Sequence, residues 1–139
     1  RYGPARKTLA GVQEDEPGVR WGDGHKRSEL IYGDDVVAAL IGLPDRCRND
    51  IVNLGMGDDF SIREFADMIC SDTGYDPDRI EYDPDGHVGA RTTYLDITKW
   101  QRLDPDTPRT PLAEGLTKTI TWFRTHWDQI QTCYYDAQP

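Results

Sequence analysis

A helix with signals at both of its ends constrains the fold of this chain more than any other feature. Ser61 and Glu64 form a capping box, in which each side chain accepts a hydrogen bond from a backbone N–H group at the helix start. Apolar residues recur at helical spacing from Ile62 to Ile69, and Gly74 is the residue most able to adopt the left-handed conformation that ends a helix. The pattern predicts an amphipathic helix with one face in a core.

The rest of the chain alternates between short strands and helices. Strands are predicted at residues 19–21, 29–32, 51–54 and 80–82, and a short helix is predicted to open at residues 95–98. A further helix, capped by Asp34 or Asp35, is predicted to run to Leu43. The last helix follows Pro111, and its apolar stripe is typical of core packing: Leu112, Leu116, Ile120, Phe123 and Trp127. The fold class is therefore α/β, with short strands and three to four helices.

Length and charge limit the functions that this chain can have. Its 139 residues suit one ordinary domain, and its formal charge of −9 repels phosphate backbones, so a nucleic-acid partner is not expected. A local arginine or lysine can still bind a small anionic ligand.

No apolar run approaches the roughly 20 residues of a membrane span, and the polar start is not that of a signal peptide. The three cysteines are far apart and lack metal-ligand spacing, which favours the cytoplasm or another reducing compartment.

An ordered set of short motifs runs along the chain. These motifs are Tyr2-Gly3-Pro4, Trp21-Gly22-Asp23-Gly24, Glu29-Leu30-Ile31-Tyr32-Gly33-Asp34-Asp35-Val36, Asn53-Leu54-Gly55-Met56-Gly57, Ser61-Ile62-Arg63-Glu64-Phe65-Ala66, Leu95-Asp96 and Leu112-Ala113-Glu114-Gly115-Leu116. In this order they resemble the extended short-chain dehydrogenase/reductase family of NAD-dependent epimerases and dehydratases, and most of all its GDP-L-fucose synthases. The resemblance covers residues 1–127, and residues 128–139 are interpreted as a C-terminal tail.

The resemblance implies a chain that holds only part of an enzyme. In that family an N-terminal Rossmann domain binds NAD or NADP, and a smaller C-terminal α/β lobe closes over a sugar nucleotide. The sequence resembles the smaller lobe alone, since no Gly-rich turn joins an early strand to a helix. The family's catalytic Tyr stands four residues before a Lys, and none of the seven tyrosines here does. We therefore expect no cofactor site, no complete Rossmann domain and no catalytic residue in this chain, and a separate Rossmann-domain partner for any chemistry.

Three residues are candidates for contact with a sugar nucleotide. The resemblance places Trp21 near the nucleotide base, where an indole can stack, although the same residue also suits a core. Relatives carry a diphosphate-binding Arg where this chain has Ser28, and Arg27 is the neighbouring substitute, but adjacent strand residues face opposite sides. Arg91 matches a second diphosphate-binding Arg of several relatives, whereas an Arg in a polar loop is usually solvated.

Other polar residues are better explained by structure than by chemistry. The pairs Asp34-Asp35, Asp58-Asp59 and Asp83 with Asp85 suit helix starts and turns, and His87 has no second ligand at metal-binding spacing. The interval between Pro4 and Trp21 looks too short and polar for the helix that relatives carry there.

Two functions stay open at this stage. The chain is either the substrate-binding portion of a sugar-nucleotide epimerase, dehydratase or reductase, or a non-catalytic accessory subunit that descends from that lobe.

Overall fold

A computed structural model describes residue 12, residues 18–87 and residues 89–130. Its helices with both ends described are α1 (Gly33–Gly42), α2 (Ile62–Thr73), α3 (Thr98–Leu103) and α4 (Leu112–Thr125), with short 3-10 turns at Leu43–Asp45 and Pro77–Arg79. The strands are β1 (Gly18–Trp21), β2 (Arg27–Ser28), β3 (Phe60–Ser61), β4 (Ile80–Asp83) and β5 (Thr92–Thr93). The predicted small α/β fold is confirmed.

The strands form two small sheets. β1 and β4 pair in parallel, with Gly18 opposite Ile80. In the other sheet β2 lies in the middle, antiparallel to β3 and parallel to β5. The predicted strands at residues 19–21 and 80–82 are thus confirmed as β1 and β4.

Helix α2 confirms the capping box and its predicted end. The Ser61 side chain accepts from Glu64 N at 3.1 Å, the Glu64 carboxylate accepts from Ser61 N at 2.6 Å, and Gly74 has φ 76°. The buried face of α2 meets the predicted stripe of α4 in one core cluster. Its buried members are Ile69, Leu116, Ile120 and Phe123, and Val12, Met68, Leu112, Trp127 and Ile130 pack against them.

A second core cluster lies between α1 and α3. Its buried members are Ala39, Leu43, Ile97 and Trp100, with Ile31, Val52, Leu54 and Leu103 packed against them. α3 starts at Thr98, whose N–H donates to the Asp96 carboxylate at 2.9 Å. The short helix predicted near residues 95–98 is confirmed with this later start.

Two predicted strands are wrong. Residues 29–32 do not form a strand, because the ladder of β2 ends at Ser28 and the Glu29 carboxylate binds other backbone segments instead. Residues 51–54 form no ladder within the described residues, and Ile51 is 83% exposed. Apolar residues in a row predicted a buried strand, but Ile51 and Asn53 are exposed.

Asp35 has a structural role, but not the one predicted. Neither Asp34 nor Asp35 caps α1, whose N-cap is Tyr32 with no side-chain hydrogen bond. The buried Asp35 carboxylate instead accepts from Thr110 N at 2.6 Å and from Thr110 Oγ1 at 2.8 Å. This link across 75 residues ties the first turn of α1 to the segment before α4.

Two sequence interpretations fall largely outside the described residues. In the interval between Pro4 and Trp21, only Val12 and the residues of β1 are described; Val12 is helical and packs on the core, so the predicted loss of a helix is not supported there. Residues 127–130 are helical, and residues 131–139 lie outside the described part, so the tail from residue 128 stays a prediction.

Candidate functional site

The turn that follows β1 is built around two glycines. Gly22 and Gly24 have φ values of 86° and 78°, and Gly22 N donates to Asp83 O at 2.5 Å. A Cβ on Gly24 would lie 2.5 Å from the Tyr82 ring, so the chain passes too close for a side chain. The turn leads into β2 and not into a helix, as the sequence predicted. It therefore lacks the helix N-terminus on which dinucleotide-binding turns place a pyrophosphate.

Arg63 fixes this turn to the start of α2. Its backbone N–H donates to Gly24 O at 3.1 Å, and its Nε donates to Asp23 O at 2.9 Å. The guanidinium carbon lies 4.0 Å from the centroid of the Tyr82 ring, a cation–π contact. Sequence reasoning missed Arg63, although it stands inside the capping-box motif.

Arg27 is held by acidic partners within the lobe. Its Nε donates to the Asp59 carboxylate at 3.1 Å, its second terminal nitrogen to Asp59 O at 2.6 Å, and its first to Glu64 at 3.2 Å. The Asp59 hydrogen bond raises the pKa of Arg27, and the Ser61 N–H group holds the pKa of Glu64 below its usual value. The carboxylate that caps α2 thus also orients Arg27.

Arg91 lies just before another strand of the same sheet as Arg27. Its carbonyl accepts from Arg27 N at 2.8 Å, just before β5 begins. The side chain is exposed, and its charge is among those that lower the pKa of Asp23, after the hydrogen bond from His25 N. The charge of Arg91 thus favours the ionised form of Asp23 in the turn.

The register of the sheet brings Arg27 and Arg91 together along the backbone. Arg27 is opposite Thr92 and Ser28 is opposite Thr93, and residues that are paired in this way point to one face. Arg27 thus points to the face with Asp59, away from Ser28, whereas Arg91 lies at a bend before β5, outside the paired residues. The Trp21 backbone ends β1, and its side chain lies outside the described part.

Glu29 is a structural residue that sequence reasoning did not single out. One oxygen accepts from Leu95 N at 3.1 Å and the other from Gly57 N at 3.3 Å. Gly55 passes so close that a Cβ there would lie 2.7 Å from the carboxylate. The side chain binds two distant loops beside β2, which sequence spacing alone cannot reveal.

A groove of about 530 Å³ opens between the start of α1 and α4. Tyr32, Met56 and Trp122 contribute to its lining, and Trp122 is 55% exposed. Burial, more than the hydrogen bond with Asp34, raises the pKa of Tyr32. The apolar stripe of α4 is confirmed as core, whereas Trp122 stands off that stripe and faces the groove.

Among the described residues no group of three metal-ligating side chains occurs, and no helix there is long and apolar enough to cross a membrane. Cys47 and Cys70 are free thiols. The reducing compartment stays a prediction.

Comparison with known proteins gives consistent relatives. The dTDP-4-dehydro-6-deoxy-D-allose reductase of Streptomyces bikiniensis is 33% identical over 130 residues, which are 90% of this chain and 39% of the reductase. GDP-L-fucose synthase 1 of Arabidopsis thaliana is 30% identical over 115 residues, 82% of this chain and 35% of the synthase. No protein-family model matches the sequence.

Solved structures give the same result for the fold. The UDP-glucose 4-epimerase of Thermotoga maritima, solved with UDP-glucose, matches with a TM-score of 0.78 and 29% identity. The match covers 91% of this chain and 41% of the epimerase. The chain therefore spans about 40% of the length of these relatives, and the matched portion is their C-terminal part.

Proposed function

The chain belongs to the extended short-chain dehydrogenase/reductase family and matches the C-terminal part of its sugar-nucleotide epimerases, dehydratases and reductases, and from this premise we propose that it is the substrate-binding lobe of such an enzyme. A separate Rossmann lobe, in the same polypeptide or in another, supplies NAD or NADP and the catalytic groups in this proposal. The lobe itself binds and orients the nucleotide sugar.

The position of Arg91 carries this proposal. The residue is exposed, its carbonyl accepts from Arg27 N at 2.8 Å beside Ser28, and its charge, after the hydrogen bond from His25 N, helps to lower the pKa of Asp23 in the Gly22–Gly24 turn. The resemblance places Ser28 where relatives carry a diphosphate-binding Arg, and in this proposal Arg91 supplies the guanidinium fork that Ser28 lacks. Such a fork suits two phosphate oxygens.

Arg27 has a different role in the proposal. Its three nitrogens already donate to Asp59 and Glu64, and these contacts would have to break before it bound a phosphate. We assign it as a positioning residue that fixes β2, and thereby the backbone that holds Arg91. Trp21 ends β1 beside the turn, where its indole is proposed to stack on the base.

The test is a binding measurement on two forms of the protein. One is the chain alone; the other is a two-lobe chimera, in which the chain replaces the matched C-terminal part of the Streptomyces bikiniensis reductase. Calorimetric titration with UDP-glucose, dTDP-glucose and GDP-L-fucose is expected to show binding of at least one of them to the chimera. Absence of heat with all three sugars, for the chain and for a folded chimera, would refute the substrate role.

One observation favours a second function. Ser28 lacks the expected guanidinium, and Arg27 next to it is already paired within the lobe. A lobe that lacks a phosphate-binding arginine would suit a non-catalytic accessory subunit. This alternative predicts no binding of nucleotide sugars but a stable complex with other proteins, and tight sugar binding by a lone monomer would exclude it.

A further inference from the structure

Two buried hydrogen-bond donors have no acceptor among the described residues. They are Nε1 of Trp100 and Nη1 of Arg109. Trp100 lies on α3 and is fully buried, so its indole N–H does not reach solvent. The guanidinium carbon of Arg109 lies 5.8 Å from the centroid of the Trp100 ring, which is a cation–π distance. Buried N–H groups are nearly always paired, so two such donors on neighbouring side chains indicate an acceptor between them.

The connector that joins α3 to α4 and carries Arg109 is held on both sides of this residue. Near its start, the buried Asp104 carboxylate accepts from Arg46 with one oxygen and from Thr107 with the other. Near its end, the residue after Arg109 donates to the buried Asp35 carboxylate through its N–H at 2.6 Å and its hydroxyl at 2.8 Å. Both carboxylates are thus bound to other donors, and the connector backbone around Arg109 is preorganised.

The chemistry of the two donors favours an anion as their acceptor. An indole and a guanidinium supply N–H groups and no acceptor, so a cation does not fit between them. The guanidinium is always charged, and its hydrogen bonds to an anion are roughly twice as strong as bonds between neutral groups. One acceptor about 3 Å from each donor bridges groups up to roughly 6 Å apart, which is similar to the spacing of the two side chains. The ligand is therefore small.

From these observations we propose that Trp100 and Arg109 form a site for a small inorganic anion such as chloride. Nε1 of the indole and Nη1 of the guanidinium donate to the same anion. Arg109 is only partly buried, so the anion enters on the side of the guanidinium, and the indole N–H lies at the inner end of the site. The formal charge of −9 opposes anion binding, so we expect half-saturation at millimolar concentrations.

Nuclear magnetic resonance of the indole N–H groups tests this site on the whole chain. The four tryptophans give four indole signals, and the signal missing from Trp100→Phe is that of Trp100. If this variant does not fold, contacts with the rest of α3 assign the signal. Sodium chloride, sodium nitrate and sodium phosphate are then titrated in turn. At least one should shift the Trp100 signal along a saturating curve that the other three signals do not follow. A Trp100 signal that responds to every salt as the other three do would overturn the proposal.

Matched variants separate anion binding from general effects of salt. Arg109→Gln removes the charged donor and should raise the half-saturating concentration about 10-fold or more. Arg102→Gln removes the same charge from an exposed position on α3 and should leave it unchanged. An equal rise in both variants, or no rise in Arg109→Gln, would contradict a site that Arg109 forms.

Stability of the folded chain gives a second readout. At ten times the half-saturating concentration, an anion that binds only the folded state raises the ratio of folded to unfolded chain roughly 10-fold. Urea unfolding of the wild type should show this increase, and Arg109→Gln should lack it. An equal increase in the two proteins would assign the effect to ionic strength and overturn the proposal.

Titration with UDP-glucose distinguishes an inorganic anion from the diphosphate of a sugar nucleotide. A Trp100 signal that responds to UDP-glucose and to none of the three salts would overturn the small-anion site. The site does not include Arg91, so a saturating response to the salts supports it whether or not nucleotide sugars bind.

Discussion

The turn assembly of residues 22–27 and the outer side of α1 (Val37, Leu40 and Ile41) differ in how far other described residues contact their side chains. In the turn assembly, Arg63 binds Asp23 and Gly24, and Arg27 binds Asp59 and Glu64. On the outer side of α1, three large apolar side chains face solvent. Both regions belong to the same small lobe.

The difference shows which parts of the lobe are complete. Hydrogen bonds and ion pairs within the chain fix the geometry of the turn assembly. Exposed apolar area, in contrast, is stabilised only when another surface removes it from water. We conclude that polar contacts complete the turn assembly, whereas Val37, Leu40 and Ile41 on the outer side of α1 keep their apolar area exposed among the described residues.

The two sides of α1 give the largest expected contrast. Ala39→Lys places a charge in a fully buried position and is expected to lower the free energy of unfolding by roughly 3–5 kcal/mol. Ile41→Lys, two residues later on the exposed side, should change it by less than about 0.5 kcal/mol. Urea unfolding of the isolated chain measures both. A similar loss for the two variants would show that Ile41 already has a structural partner.

The tight turn gives the next largest effect. Gly24→Ala combines a positive φ with a Cβ 2.5 Å from Tyr82, and it should cost roughly 2–4 kcal/mol in thermal or urea unfolding. Gly33→Ala is the matched control, since a Cβ there meets nothing within 4 Å. The control should match or slightly exceed the stability of the wild type. An unaffected Gly24→Ala variant would mean that the turn is not held against Tyr82.

Acid should weaken the turn assembly through Glu64. The hydrogen bond from Ser61 N lowers the pKa of Glu64 in the folded state. Glu64 therefore contributes to the free energy of unfolding above the pKa of the unfolded chain, near 4.5, and this contribution is lost as pH falls through the lower pKa of the folded state. Stability measured from pH 7 to pH 3 should fall more steeply for the wild type than for Glu64→Gln. Parallel curves would contradict the role of this carboxylate.

Sequence patterns predicted the local features and missed the distant ones. The capping box, the Gly74 end and the stripe of α4 involve neighbours along the chain, so spacing alone revealed them. The partners of Arg27 are 32 and 37 residues away, and no local pattern encodes them. Residues 51–54 have the composition of a buried strand, but Ile51 is 83% exposed, because composition does not reveal which neighbours a segment meets.

The central claim, that Arg91 makes this lobe a phosphate-binding surface, is tested by titrating Arg91→Gln. In the two-lobe chimera with UDP-glucose, dTDP-glucose or GDP-L-fucose, loss of the guanidinium should raise the Kd of any sugar that binds by roughly 10-fold or more. Arg102→Gln, at another exposed arginine, is the matched control and should leave the Kd unchanged. An unchanged Kd for Arg91→Gln, in a chimera that binds the sugar, would contradict the claim.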